Sequence, residues 1–460
     1  MLLEVRRKVY MRSVTGIFAR WRWILVWFTQ VLYYGLPWLS WNDRQAVLFD
    51  LAARKFHIFG LILYPQDFIY LTALLIISAM SLFLFTTVAG RLWCGYACPQ
   101  TVYTEIFMWI ERKIEGDRAR RMKLDAEGFS ARKLKLKAAK QISWILFSLW
   151  TGFTFVGYFT PIRDLTGQVA SVSLGPWQLF WILFYGFATY GNAGFLREQV
   201  CKYMCPYARF QGVMFDKDTW VITYDPARGE PRGAKSKKGS AEGRGDCVDC
   251  SLCVQVCPTG IDIRDGQQYE CIGCAACIDA CDQVMQKVGS PKGLIRYDTL
   301  NGMENGWSQA QLWRRVFRPR VILYSVILLA VTGVLFGHIA TRVPLKVDVM
   351  RDRGALSREV KNGVIENVYQ VNLINSVEQD RTYIIDVDGL PTASIDSENT
   401  VRVAAASNRL VALRVRAEPD SGEAGSNRIH IVVTAEDDPT VTKRAKTSFF
   451  LPDLFPGVTN

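Results

Sequence analysis

Twelve cysteines are spread over 460 residues, and their spacing is the strongest chemical signal in the chain. Eight lie in two tandem runs, CVDCSLCVQVCP with Cys247, Cys250, Cys253 and Cys257, and CIGCAACIDAC with Cys271, Cys274, Cys277 and Cys281. This is the C-x2-C-x2-C-x3-C spacing in which three thiolates wrap one face of an iron–sulfur cube and a fourth, from a distance, closes the opposite corner. Repeated C-x2-C pairs also suit tetrahedral zinc. Two complete runs in tandem, with Pro258 after the first, favour two 4Fe–4S clusters. The second run departs from the first by ending in Cys281-Asp282 where the first ends in Cys257-Pro258, which alters the local backbone more than the ligation. The other four cysteines form a second pattern, CGYACP with Cys94 and Cys98, and CKYMCP with Cys201 and Cys205. Spacing of i, i+4 puts each pair on one face of a helix, and the following proline ends or redirects that helix. If the two pairs meet, four soft thiolates converge, a donor set suited to Cu(I), zinc or iron–sulfur iron. Two unconnected buried thiol pairs are the alternative, because cysteine also packs as a small hydrophobe.

The segments that must position these thiols are apolar. Residues 23–41, 68–90, 142–159, 177–196 and 321–340 are each long enough to cross a bilayer core of about 30 Å, so five transmembrane helices are expected. The basic stretch ahead of the first would also suit a signal peptide, but that segment is long, rich in Trp and Tyr, and lacks a small-residue cleavage site. Lys and Arg crowd the N-terminus and the loop 112–140, whereas the loops after the first and third segments are nearly free of them. By the positive-inside rule the N-terminus is cytoplasmic and the part after the fifth helix is outside. All the thiols then fall on the cytoplasmic side, where a reducing environment favours metal sites over disulfides. The net charge of +12 reflects this topology, and no nucleic-acid module is visible.

The fourth cysteine of each run in two-cluster ferredoxins ligates the other cluster. The expected sets are therefore Cys247, Cys250, Cys253 and Cys281 for one cluster, and Cys271, Cys274, Cys277 and Cys257 for the second. The organisation that follows is a membrane domain over 1–223, a Gly-, Pro- and Lys-rich linker over 224–246, a two-cluster ferredoxin domain over 247–300, a connector with the fifth helix over 301–345, and an outer domain over 346–460. In the last, short alternating runs such as VYQVNLIN and IHIVVTAEDD separated by Asn, Asp, Gly and Pro point to an all-β, immunoglobulin-like sandwich. His430 alternates with Ile429 and Ile431 and reads as an ordinary strand residue, while His57 and His338 read as packing or interfacial histidines with metal or quinone chemistry as the alternative.

The stretches RLWCGYACPQTVYTEIFMWIERKIEGDR, CKYMCPYARFQGVMFD and CIDACDQVMQKVGSPKGLIRYDTL resemble the cytochrome c oxidase accessory proteins of the CcoG/FixG/RdxA family, membrane-bound polyferredoxins, over essentially the whole chain. That resemblance implies an inner-membrane protein with a cytoplasmic ferredoxin domain and a periplasmic immunoglobulin-like domain. The implied role is in assembly of cbb3-type cytochrome c oxidase, reducing Cu(II) to Cu(I) for copper-site maturation. Implied partners are oxidase subunits or copper-transport proteins, with copper itself as a ligand and Cys94, Cys98, Cys201 and Cys205 as its site or that of a further cluster. Two other functions stand beside it, a quinol-linked electron relay and an assembly scaffold with structural clusters. No haem attachment C-x-x-C-H and no flavin fingerprint is present to support the relay.

Overall fold

The structure is a computed structural model and describes residues 8–234, 244–352, 354–360 and 363–452. The chain divides into two compact units, one of Met1–Leu51 with Phe68–Gly333 and one of Ala52–Asp67 with Val334–Asn460.

The first unit contains the apolar helices and the cysteine runs. Helix Phe68–Ala89 is apolar on every side, and Ile69, Leu71, Leu74, Leu75 and Phe85 stand exposed on it. Such a helix satisfies its own backbone and leaves its side chains for lipid. Three spans among the described residues are long and apolar enough to cross a membrane, Pro65–Ala89, Pro176–Leu196 and Pro319–Ala340. Of the five expected spans, these three meet that measure of length and composition. The other two segments do form helices, Ile17–Gly35 and Ala131–Val156, but they are more polar. Arg20, Arg22 and Gln30 interrupt the first, and the second begins in a lysine-rich stretch and continues through Ser143, Ser148, Thr151 and Thr154.

Both are nevertheless built into the bundle. A Cβ on Gly152 would collide with the carbonyl oxygen of Ile182, and one on Gly186 would lie 3.3 Å from that of Ser148, so glycine lets helices Ala131–Val156 and Pro176–Thr189 touch backbone to backbone. Small residues serve this purpose wherever helices associate in lipid. The Tyr33 hydroxyl donates to the Thr151 carbonyl at 3.1 Å and the Tyr158 hydroxyl to the Tyr33 carbonyl at 2.8 Å, tying Ile17–Gly35 to Ala131–Val156.

The stretch expected as linker, 224–246, lies outside the described residues over 235–243. Its described ends are ordered. Strand Val221–Tyr224 pairs antiparallel with Ile295–Asp298, bracketing the cysteine runs, and Arg228 holds Asp246 at 2.6 Å.

The second unit is a two-sheet sandwich. Strands Ser394–Ile395, Asn408–Ala417, Ile365–Asn375 and Leu345–Arg351 lie side by side in that order, with Arg358–Glu359 also on Ile365–Asn375. The facing sheet runs Thr400–Val403, Arg381–Asp388, Gly425–Ala435, Thr442–Leu451, and all pairings are antiparallel. Alternate residues of Gly425–Ala435 point inward, so Ile429, Ile431 and Val433 join Tyr369, Tyr383 and Phe449 in one core. The sheets are also tied by polar bonds. The Tyr369 hydroxyl donates to the Ser448 carbonyl at 2.8 Å, while the Asn367 amide donates to the Phe450 carbonyl at 3.0 Å and accepts from its N–H at 3.1 Å. His430 sits on a strand between Asp388 and Lys446. His57 is buried opposite Ile62, and His338 lies in the last turn of helix Pro319–Ala340.

Candidate iron–sulfur and thiolate centres

The two cysteine runs fold as copies of one another. In each, the residue before and the residue after the second cysteine adopt left-handed backbone, Asp249 and Ser251 in one run, Gly273 and Ala275 in the other. The chain can then curl around a central object and enter a helix, Leu252–Gln255 or Ala276–Val288. Successive N–H groups in such turns form a concavity that suits an anionic group.

Cys247, Cys250, Cys253 and Cys281 line one cavity with Arg264, Met285 and Leu294. Cys257, Cys271, Cys274 and Cys277 line a second with Ile261 and Ile272, and Cys253 borders it from the other side. The structure thus brings the distant fourth cysteine of each run to the other run's three. Burial pushes the Cys281 thiol up to about 12, with further contributions from Cys253, Asp282, Cys247 and Cys250. Burial likewise raises Cys277, and its neighbours Cys274, Cys271 and Cys257 add to the effect. Among the described residues, no three Cys, His, Asp or Glu side chains close on a point that would hold a single metal ion. Each set of four thiols borders one shared cavity, the arrangement that ligation of a cube by four thiolates requires. The residues present therefore fit 4Fe–4S clusters.

The CGYACP and CKYMCP pairs also meet. Cys94 lies in the single-turn helix Leu92–Tyr96, and Cys98 caps helix Pro99–Glu115 with proline in its first turn. Cys201 sits on the π-turn Val200–Met204, and Cys205 caps helix Pro206–Met214, again with proline in the first turn. Burial, with Cys98, Cys94 and Cys205 adding to it, pushes the Cys201 thiol up to about 12. Burial also raises Cys94 to about 11, with Cys98 and Cys205 adding to it. All four thiols are thus within electrostatic reach of one another.

This second site rests directly on the ferredoxin core. Cys94 and Cys201 share an apolar cluster with Ile272, Cys274 and Ala276. A Cβ on Gly95 would lie 2.8 Å from the carbonyl oxygen of Gly273 and 2.9 Å from both N and Cα of Cys274, so nothing larger than glycine fits there. Around the contact, the Gln211 amide donates to the Cys94 sulfur at 3.5 Å, and the Thr101 hydroxyl to the Cys94 carbonyl at 2.5 Å. The buried Arg91 donates to the Ala208 carbonyl and partly opposes the burial that raises the Cys94, Cys201 and Cys271 thiols, so one guanidinium faces both thiol groups. A further tie is Asp279, between Cys277 and Cys281. Its carboxylate accepts from the N–H groups of Phe18 at 3.3 Å and Ala19 at 2.8 Å, capping helix Ile17–Gly35.

Sequence reasoning did not single out a buried charged network beside these sites. Glu111 meets Arg121 at 3.0 Å, Arg197 at 3.1 Å and Lys140 at 3.7 Å, and Glu115 meets Lys140 at 2.9 Å. Burial works to raise the Glu111 carboxyl, but Arg197, Arg121 and Lys140 hold it below its ordinary value. With Trp144, Phe195 and Glu198 the network borders a cavity of about 270 Å³. Arg197, at φ +42°, joins the π-turns Tyr190–Leu196 and Val200–Met204, a local geometry that often marks function.

Fold and site together define a class, iron–sulfur redox proteins with membrane helices and an immunoglobulin-like sandwich. A profile described as a 4Fe–4S dicluster domain matches residues 196–300, one described as a 4Fe–4S binding domain matches 71–116, and one described as the IG-like fold at the C-terminus of FixG, putative oxidoreductase, matches 335–452. The chain is 40% identical over 428 residues to nitrogen fixation protein FixG of Rhizobium meliloti, covering 86% of this chain and 82% of that protein. It is 39% identical over 435 residues to protein RdxA of Cereibacter sphaeroides, covering 92% of each. Protein RdxB of the same organism is 41% identical over 396 residues, 84% of this chain and 83% of that one. The chain belongs to the FixG/RdxA family.

Proposed function

We propose that this chain is an inner-membrane electron carrier that reduces Cu(II) to Cu(I) for the copper site of a cbb3-type oxidase. The observation that carries this reading is the seating of the CGYACP turn on Gly273-Cys274, which leaves no solvent layer between the ferredoxin core and the membrane-side thiols. When loaded, each cluster takes up or releases one electron, so one Cu(II) is reduced per electron released. The chain's own residues exclude water with Ile272, Ala276 and Val256, and offset negative charge with Arg22 and Arg91, both buried beside the thiols. Ligands are read as Cys247, Cys250, Cys253 and Cys281 for one cluster, and Cys257, Cys271, Cys274 and Cys277 for the other.

The topology in this reading has five crossings. Cys94 and Cys98 follow one apolar span, Cys201 and Cys205 follow another, and both pairs end at one place. This topology needs a return crossing between them, and the packing of Ala131–Val156 through Gly152 and Gly186 on its neighbour supports assigning it to that helix. The sandwich then lies in the periplasm and the ferredoxin core in the cytoplasm.

The test is to reduce the purified protein anaerobically, remove the reductant and add Cu(II) with a chromogenic Cu(I) chelator. Bleached cluster absorption should return as Cu(I) appears, one copper per electron. Clusters that stay reduced in the presence of Cu(II) would refute the reading. A quinol-linked relay is the second reading, favoured by the cavity bordered by Trp144, Phe195, Glu111 and Arg197. Reduction of the clusters by a short-chain quinol would distinguish it.

A further inference from the structure

We infer that Arg22 is the counter-cation of the cluster read onto Cys257, Cys271, Cys274 and Cys277, and that it makes this cluster the easier of the two to reduce. Helix Ile17–Gly35 buries Ala19, Arg22 and Val26, a spacing that puts them on one face. Asp279 turns that face to the second cysteine run by holding the N–H groups of Phe18 and Ala19, one turn before Arg22. The Phe18 ring meets Tyr297 edge-on at 5.6 Å, and the Tyr297 hydroxyl donates to the Gly273 carbonyl at 2.6 Å. Arg22 thereby borders the same cavity as Cys274, Ile272 and Thr259.

Arg22 is only 5% exposed, and its Nε has no hydrogen-bond partner. Glu105 and Glu198 border the cavity too, but among the described residues no carboxylate pairs with this guanidinium. Arginine keeps its charge throughout the range in which proteins stay folded, and burying a charge unpaired is costly. A cube carrying four thiolates is an anion and answers that charge. The other thiol set is surrounded differently. Arg264 borders the cavity of Cys247, Cys250, Cys253 and Cys281, but Asp262 at 2.6 Å and Asp249 at 2.5 Å already match its charge. Asp282 adds a third carboxylate, which contributes to raising the Cys281 thiol. On the first side, burial raises the Cys274 thiol and Arg22 is the foremost group opposing that rise. Reduction adds one negative charge to a cluster, so an unmatched cation favours it and surplus carboxylate opposes it. An electron entering the pair therefore comes to rest on the Cys274 side, that cluster being reduced by one electron as its neighbour gives up the same one. This is the side that Gly95 touches. Its use as a direction of flow rests on the electron-carrier reading, whereas the order of the two potentials does not.

The full-length protein in detergent, loaded anaerobically with both clusters, is titrated with dithionite at controlled potential and followed by paramagnetic resonance. Two one-electron waves are expected. Arg22→Gln should lower the upper wave by at least about 59 mV, a tenfold change in the ratio of reduced to oxidised cluster, and leave the lower wave in place. Arg22→Lys keeps the charge and should leave both waves near the parent. A single two-electron wave in the parent, an unmoved upper wave in Arg22→Gln, or an equal shift in the lysine variant overturns the inference. Cys250 is an exposed ligand of the other cluster, so Cys250→Ser checks the assignment with Arg22 intact. It should shift or abolish the lower wave alone, and a change confined to the upper wave overturns the inference even if the Arg22 variants do not load. Cupric reduction with potentials indifferent to Arg22 sinks only this inference, and the expected potentials without cupric reduction sink only the copper role.

Discussion

Replacing Gly95 by alanine tests the contact on which the electron path depends. Helix propensity alone favours the change, since alanine in place of a helical glycine gains about 1 kcal/mol. Packing reverses the sign. The new methyl would lie 2.8 Å from the Gly273 carbonyl oxygen and 2.9 Å from Cys274 N and Cα, all backbone atoms that cannot rotate away. Ordinary carbon contacts fall at about 3.5–4.0 Å, so the CGYACP turn and the second cysteine run must separate by roughly 0.6–1 Å. Overpacking of this kind costs about 1–3 kcal/mol, which multiplies the population of the opened interface by roughly 5–150. Gly212 is the control, because it lies in helix Pro206–Met214, which Cys205 caps, and a Cβ there meets nothing within 4 Å. The assay is anaerobic release of iron to a chromogenic chelator, followed beside the thermal midpoint in detergent. Gly95→Ala should lose iron faster and melt lower, while Gly212→Ala should match the parent or melt slightly higher. Equal behaviour of the two variants would refute the close seating of the two thiol groups.

Asp279→Ala removes the cap of helix Ile17–Gly35 and should cost about 1–2 kcal/mol, read as roughly 5–30-fold faster hydrogen exchange in that helix's first turn. Glu366, buried between Arg358 at 2.7 Å and Arg416 at 2.8 Å, is held below its ordinary value of 4.5 by the two guanidinium groups although burial opposes them. Its contribution is therefore present above about pH 4.5 and lost as the pH falls through the lower folded value. Protection of strand Ile365–Asn375, taken as the ratio of intrinsic to observed exchange at each pH, should fall on acidification, and Glu366→Gln should flatten that dependence while lowering protection at pH 7. A reporter fused after Asn460 should be active only outside the cytoplasm and one placed within 224–246 only inside, and a cytoplasmically active C-terminal fusion would mean an odd number of crossings has been lost or gained.

What the sequence made legible was whatever repeats at short range. The two cysteine runs declare their chemistry because four thiolates around a cube impose fixed local spacings. The sandwich was readable because alternate burial along Gly425–Ala435 leaves a period of two in the sequence. The resemblance carried by the cysteine-bearing stretches placed the chain in its family. Contacts between distant segments leave no such period. Gly95 looks like any small residue between two cysteines until Gly273 is found against it, and Asp279 looks like a solvated acid within CIDAC until it caps a helix about 260 residues away. Glu111 and Arg197 were similarly hidden, since their partnership spans 86 positions. Two of the five expected crossings are less plain in composition for a different reason. Ile17–Gly35 and Ala131–Val156 are helices of suitable length, but Arg20, Arg22 and the serines and threonines make them partners for protein surfaces rather than uniformly lipid-facing rods.

The Asp279 cap also sets an order of events during synthesis. Helix Ile17–Gly35 emerges from the ribosome first, whereas the carboxylate that satisfies its leading N–H groups follows 260 residues later. At about 5–20 residues per second, the helix waits roughly 13–52 s for its cap. That carboxylate arrives between Cys277 and Cys281 in the second cysteine run. A helix made early is therefore fastened by an element made some 260 residues later. A chain whose second cysteine run has not folded leaves the leading N–H groups of helix Ile17–Gly35 without that cap.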